Sequence, residues 1–426
     1  MKAGVAEIDI SPPLGLTMAG SFRSRRIEGV RDPLFASALV LEDEEHRLAL
    51  VGCDLLFLPR TVVESVRRAV RNEVGIPERD VALFCTHTHT GPLTCELHGR
   101  MPDDGYIETL IEKVVRSVSN AARRLEPAEV ASASAMERGI SFNRRFVMKD
   151  GFVRTHPVRG FLENAHAEGP IDPEVGVLCV RRPAGPVLGY VVNFACHANV
   201  VRGNEVSADF PGAVRRRMKA AHGPECVTLF ANGASGDVCQ IDVSNPEKED
   251  SGFVWAEHMG EVLAGRVFEA CEGMVFGTDP ILRIQDRSLS VRLRDPGLTP
   301  YHGTMFGGPT IELVDQLYEA YGERFARLPD DPSETVEIQA LRIGDAALVM
   351  IPGEPFAALG LELKLRSPFR PTLVVGLANG CSGYIPTEEA FQRGGYEVRT
   401  GEGSRLVPTA GKQIIEHALD DLSNLV

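Results

Sequence analysis

No two of the nine cysteines are spaced as C-x-x-C, and their odd number argues against a disulfide framework. Several sit inside apolar runs ("VGCDLL", "LCV", "FAC"), so they read as reduced, buried small residues of a cytoplasmic protein. Long hydrophobic runs are missing too. None approaches the ~20 residues that cross a bilayer, and the N-terminal "MKAGVAEIDISPP" has no apolar signal-peptide segment before its first strand. Positive charge is in deficit: 45 Lys and Arg against 59 Asp and Glu give a net charge of −14. That argues against nucleic-acid binding through phosphate contacts, and against docking on anionic membranes. Repeats, low-complexity tracts and linkers are not evident. The chain therefore reads as one unit over residues 1–426, with a lid or insertion at about 296–333.

What is present is a chain of 426 residues, 43% hydrophobic, able to bury a large core. Strand-like runs such as "RLALVGCDLL", "VGVLCVRR", "GYVVNFACH" and "TLVVGLANG" are bounded by Gly, Pro and Asp. Helical spacing appears between them. Val63, Val66, Val70 and Val74 predict a helix over 60–74 stopped by Gly75, and a second apolar stripe covers 104–125. Further helices are expected near 210–221, 254–271, 310–327, 355–366 and 409–424. The fold class is α/β, with mixed sheets flanked by helices.

Chemistry gathers at four strand ends. "FCTHTHTGP" (84–92) places His87 and His89 at i and i+2; on a strand they share one face, roughly 7 Å apart, with Thr86, Thr88 and Thr90 opposite. His197 follows the strand in "VVNFACHANVV", with Ser207 and Asp209 downstream as candidates to orient it. Glu354 follows the strand in "ALVMIPGEPF", and Tyr384 the one in "GLANGCSGYIP". Each alone has a plain structural reading: a hydrogen-bonded histidine, a helix-capping acid, a packed tyrosine. Together they share the position where α/β folds assemble ligand sites, and two imidazoles with a carboxylate suit a zinc shell with an open position. The turn "FANGASGDVCQID" adds Asp237 and Cys239 but lacks the phosphate-loop pattern.

These pieces, in this order, resemble the catalytic domain of the neutral (non-lysosomal) ceramidases and their bacterial relatives. The likeness runs from "GVAEIDISPPLGLTMAGSF" through "THTHTGP", "FNRRF", "NFACHANVV", "NGASGDV" and "PGEPF" to "GLANGCSGYIPTEEAFQRGGYE". It implies that His87, His197, Glu354 and Tyr384 hold Zn2+, and that His89 and Arg144 face the substrate. Asp237, Cys239 and Tyr384 join His89 and Arg144 in the expected catalytic set. The implied activity is hydrolysis of an amide (N-acyl) bond by metal-activated water, on a small-molecule or lipid-like substrate. Alternatives are an ester, lactone or amino-sugar hydrolase on the same scaffold, or a metal-stabilised binding protein without turnover. Cys239 stands where the family has serine, and neither a secretion signal nor a C-terminal immunoglobulin-like domain is evident, which leaves ceramide itself open.

Overall fold

The computed structural model describes residues 1–160, 165–277, 280–297 and 312–426. Within them one unit is built three times: an antiparallel strand pair, a crossover helix, a strand parallel to the second, then a longer helix.

In the first unit Phe35–Glu42 pairs with Arg47–Cys53, α1 (Arg60–Val74) crosses over, Val81–Cys85 adds in parallel, and α2 (Asp104–Arg123) follows. The second has Glu174–Arg181, Val187–Phe194, α3 (Asp209–His222), Val227–Asn232 and α4 (Phe253–Cys271). Helix α5 (Glu312–Phe325) precedes the third. That unit has Ser333–Ile343, Ala346–Met350, α6 (Ala357–Arg366) and Thr372–Val375, then the short α7 (Glu388–Arg393) and α8 (Ala410–Ser423). A further antiparallel strand extends each sheet: Lys2–Asp9, Glu129–Met136 and Leu282–Arg292 respectively.

Burial explains the arrangement. The strands are apolar on both sides, so each sheet needs two covers. Their inner faces share one core, with Leu39 and Phe84 from the first sheet, Leu178 and Leu229 from the second, and Leu348 and Leu373 from the third. Outer faces are sealed by helices: α1 and α2 through Val66 and Leu110, α3 and α4 through Val214 and Leu263, α6 and α8 through Leu363 and Ile414. Each such Leu or Val contributes ~1.5–3 kcal/mol of transfer free energy. Helix α1 has the expected bounds because Gly75, at φ 80°, supplies its left-handed stop.

The mixed α/β architecture is the expected one. All nine cysteines are unpaired. No described helix is long and apolar enough to cross a membrane. Of the lid expected at 296–333, residues 298–311 lie outside the described residues, and the described remainder holds α5 and the start of the third sheet.

The geometry that matters is at the carboxyl ends of the second and third strands of each unit. Loops leaving them interlock: His87 N donates to Leu55 O, Asn232 Nδ2 to Thr86 O, Gly236 N to Pro355 O, and Leu377 N to Gly353 O. One end of the three-sheet core is thus tied into a single floor.

Candidate metal centre

The parallel strand of the first unit stops at Cys85, and His87 adopts φ 69°, the left-handed region that non-glycine residues seldom use. The i, i+2 strand geometry expected for His87 and His89 therefore does not apply. The turn brings their Nε2 atoms to 3.3 Å, with ring centroids 4.8 Å apart. The threonines do point elsewhere: Thr88 and Thr90 both donate to Ser207 O. His197, from the second unit, completes a group of three imidazoles able to hold a metal ion, their ligand atoms within 4.8 Å of one another.

The hydrogen bonds of these rings fix their tautomers. Nδ1 of His87 donates to Leu56 O at 2.9 Å, Nδ1 of His89 to Gly20 O at 3.0 Å, and Nδ1 of His197 to Ser235 O at 2.7 Å. With the proton on Nδ1 in each case, every Nε2 presents a lone pair to the same space. Glu354 Oε2 lies 3.3 Å from His87 Nε2 and 3.2 Å from His197 Nε2. Four acceptors converge, and the buried His197 Nε2 and Glu354 Oε2 have no hydrogen-bond partner. Buried acceptors without donors are costly; a cation held by His87, His197 and Glu354 would satisfy three of them and leave the His89 lone pair beside it. Two imidazole nitrogens and one carboxylate oxygen with an open position fit a divalent ion of the zinc type.

Electrostatics agree. Burial, then Arg144, pushes His197 down to about 4, and burial, then His87, pushes His89 well below its ordinary value. Burial alone would raise Glu354, but His87 and His197 outweigh it and hold the carboxyl well below the usual range.

Glu354 and Tyr384 are opposite partners in a short parallel pair joining the two loops of the third unit. Tyr384 lies nearly parallel to the His197 ring, 18° between planes and 6.3 Å between centroids. Its hydroxyl accepts from Arg144 Nη2 at 3.1 Å. Arg144, almost fully buried, also donates from Nη2 to Gly236 O and from Nε to Glu397 Oε1. His87, His89, Glu354, Tyr384 and Arg144 line one cavity of about 310 Å³.

Asp237 and Cys239, expected in the catalytic set, do not line it. Asp237 accepts from Ala357 N at 2.7 Å, where α6 starts, and from Asn143 Nδ2 at 2.8 Å, so both oxygens serve the scaffold. Cys239 pairs in a two-residue strand with Phe142, and burial pushes its thiol up to about 11, which leaves no reactive thiolate. Ser207 and Asp209 do not orient His197; Ser207 donates to Asp32, and Asp209 accepts from the backbone of Val200 and Val201. Residues that sequence reasoning passed over are His156, Tyr396 and Glu397; the last two stand in the motif "RGGYE", whose Gly-Gly pair is its only local signal.

A profile of the neutral/alkaline non-lysosomal ceramidase N-terminal domain matches residues 1–252, more than half the chain. The chain belongs to that ceramidase family. Its relatives include the neutral ceramidase of Mycobacterium tuberculosis, 24% identical over 451 residues, spanning 88% of this chain and 69% of that protein. The neutral ceramidase of Pseudomonas aeruginosa is 25% identical over 191 residues, 42% of this chain and 27% of that one. Solved structures share the fold: a ceramidase complexed with C2 at TM-score 0.77 and the Pseudomonas aeruginosa neutral ceramidase at 0.75. Each is 19% identical and matched over 100% of this chain, covering 75% and 74% of the other. Family membership makes the chain a hydrolase. The profile stops short of Glu354 and Tyr384, which the fold alone brings to the histidines.

Proposed function

We propose that this ceramidase-family chain is a zinc-dependent hydrolase of a linear amide, acting in the cytoplasm on a small-molecule or lipid-like N-acyl compound. The observation that carries the reading is the convergence of three Nε2 lone pairs and one carboxylate oxygen, none facing a donor. His87, His197 and Glu354 would hold the ion, with Tyr384 beside them. When bound, zinc supplies Lewis acidity that polarises a carbonyl and lowers the pKa of water.

The chain's own residues do the rest. His89 is fixed by Gly20 O with its Nε2 free of a proton, so it takes one from the attacking water and returns it to the leaving nitrogen. Tyr384 is kept protonated by burial and by Glu354, and its hydroxyl, held by Arg144, is placed to donate to the developing oxyanion. Glu397 anchors Arg144 from behind. The nine unpaired thiols support the reducing compartment.

The test pairs metal analysis of the purified chain with hydrolysis of N-acyl amines. About one zinc per chain and amide cleavage are expected. A chain that retains no divalent ion, and cleaves no amide after zinc is supplied, overturns the reading.

A further inference from the structure

His156 takes part in none of the steps above, yet it lines the same cavity as His87, Arg144 and Tyr384. It follows the strand Val153–Thr155, which pairs with Arg145–Val147, and its backbone N donates to Arg144 O at 2.8 Å. Its φ is 51°, a left-handed conformation held immediately before Pro157. Such strain persists only where the surroundings impose it, and it concentrates at sites that hold ligands.

The ring has an unusual balance. Nδ1 is buried and has no hydrogen-bond partner, and no described residue bonds to Nε2. Burial, then Arg144, pushes its pKa down to about 3, so the imidazole is neutral and offers one donor and one acceptor. Arg144 uses Nε and Nη2 on protein partners, which leaves Nη1 unpartnered among the described residues. One wall of the cavity is apolar: Leu56, Phe57 and Leu97 belong to one hydrophobic cluster.

We infer that His156 is a specificity-determining residue, whose imidazole hydrogen-bonds an oxygen-bearing group of the substrate beside the open edge of Arg144. The cavity then takes an N-acyl compound with its hydrocarbon portion against the Leu56–Phe57–Leu97 wall. A carboxylate or hydroxyl on the amine side meets His156 and Arg144. This rests on the hydrolase reading and names the substrate class within it.

Three amides of matched length test it: N-hexanoylglycine, N-hexanoylethanolamine and N-hexanoylpropylamine. The unmodified protein should favour one or both oxygen-bearing compounds over the propylamide, and which one separates carboxylate from hydroxyl. His156→Gly removes the ring and suits the left-handed backbone, so it folds. It should lower kcat/KM for the favoured compound about tenfold, the worth of one hydrogen bond to a buried group, and change the propylamide by less than about twofold. His156→Asn, which tolerates the same backbone and keeps a donor and an acceptor, should restore most of the loss. An equal loss on all three amides, or no preference for oxygen in the unmodified protein, overturns the inference. If none of the three is hydrolysed, calorimetry with N-hexanoylglycine decides separately. Weaker binding to His156→Gly supports the subsite although the hydrolase reading fails, and unchanged binding overturns the subsite too.

Discussion

Glu397 Oε1 lies 2.8 Å from Arg144 Nε, although 253 residues separate them in the chain. The other oxygen accepts from Arg145 Nη1 at 2.6 Å and Thr155 Oγ1 at 2.8 Å, so one fully buried carboxylate locks two guanidinium groups. Replacing it by Glu397→Gln should destabilise the fold by about 3–5 kcal/mol, the usual result of stranding buried charge, as read by denaturant unfolding. Burial would raise this carboxyl, but Arg144 and Arg145 outweigh it and hold it at about 2, below its ordinary 4.5. A depressed folded-state pKa contributes stability above 4.5 that is lost as pH falls towards 2, on the order of 3 kcal/mol. Unfolding measured between pH 5 and pH 2 should show that slope in the unmodified chain and a shallower one in Glu397→Gln.

His197→Ala removes one of the converging nitrogens and leaves Glu354 Oε2 without its 3.2 Å neighbour. The expected result is loss of bound divalent ion by elemental analysis, with amide hydrolysis falling at least about a thousandfold. Retention of a full equivalent of metal would show that the cluster is not the ligand set.

Chelation should destabilise the unmodified protein. Ligand bound only to the folded state at a thousandfold excess over its Kd adds about 4 kcal/mol, so thermal unfolding should drop by roughly 3–6 °C in chelator and recover on adding zinc. The same treatment should leave His197→Ala unchanged.

Gly20 bears on the site from the cavity wall. At φ 75°, it lies so close to His89 that a Cβ would come within 2.7 Å of the Cα and Cβ of His89, while its carbonyl fixes His89 Nδ1. Gly20→Ala should cut kcat by about tenfold or more through misplacement of that ring, with bound metal retained through His87, His197 and Glu354. Steady-state kinetics alongside metal content would show it.

Much of this was legible from residues alone, and what was missed has physical reasons. Apolar spacing and Gly75 delimited α1, and strand-end position singled out His87, His197, Glu354 and Tyr384, which the fold brings together. The pairing of His87 with His89 was right for the wrong reason: a left-handed turn at His87, invisible in the sequence, replaces the strand geometry. Asp237 and Cys239 lie off the cavity because a turn in sequence does not say which way it faces; both oxygens of Asp237 go to the scaffold. The threefold unit escaped notice since it repeats in connectivity, with different residues in each copy. His156 lacked any local signal and Glu397 carried only the Gly-Gly pair of its motif, their settings arising from contacts across the whole chain.

Each of the three units contributes one donor from the loop after its second or third strand: His87, His197 and Glu354. The centre is therefore a keystone, finished only when all three sheets have closed around it. A protein cut after residue 252 would keep every histidine of the cluster and still lack the acid. Separate pieces should regain activity only by reassembling, and the ion's arrival would mark the last step of that assembly.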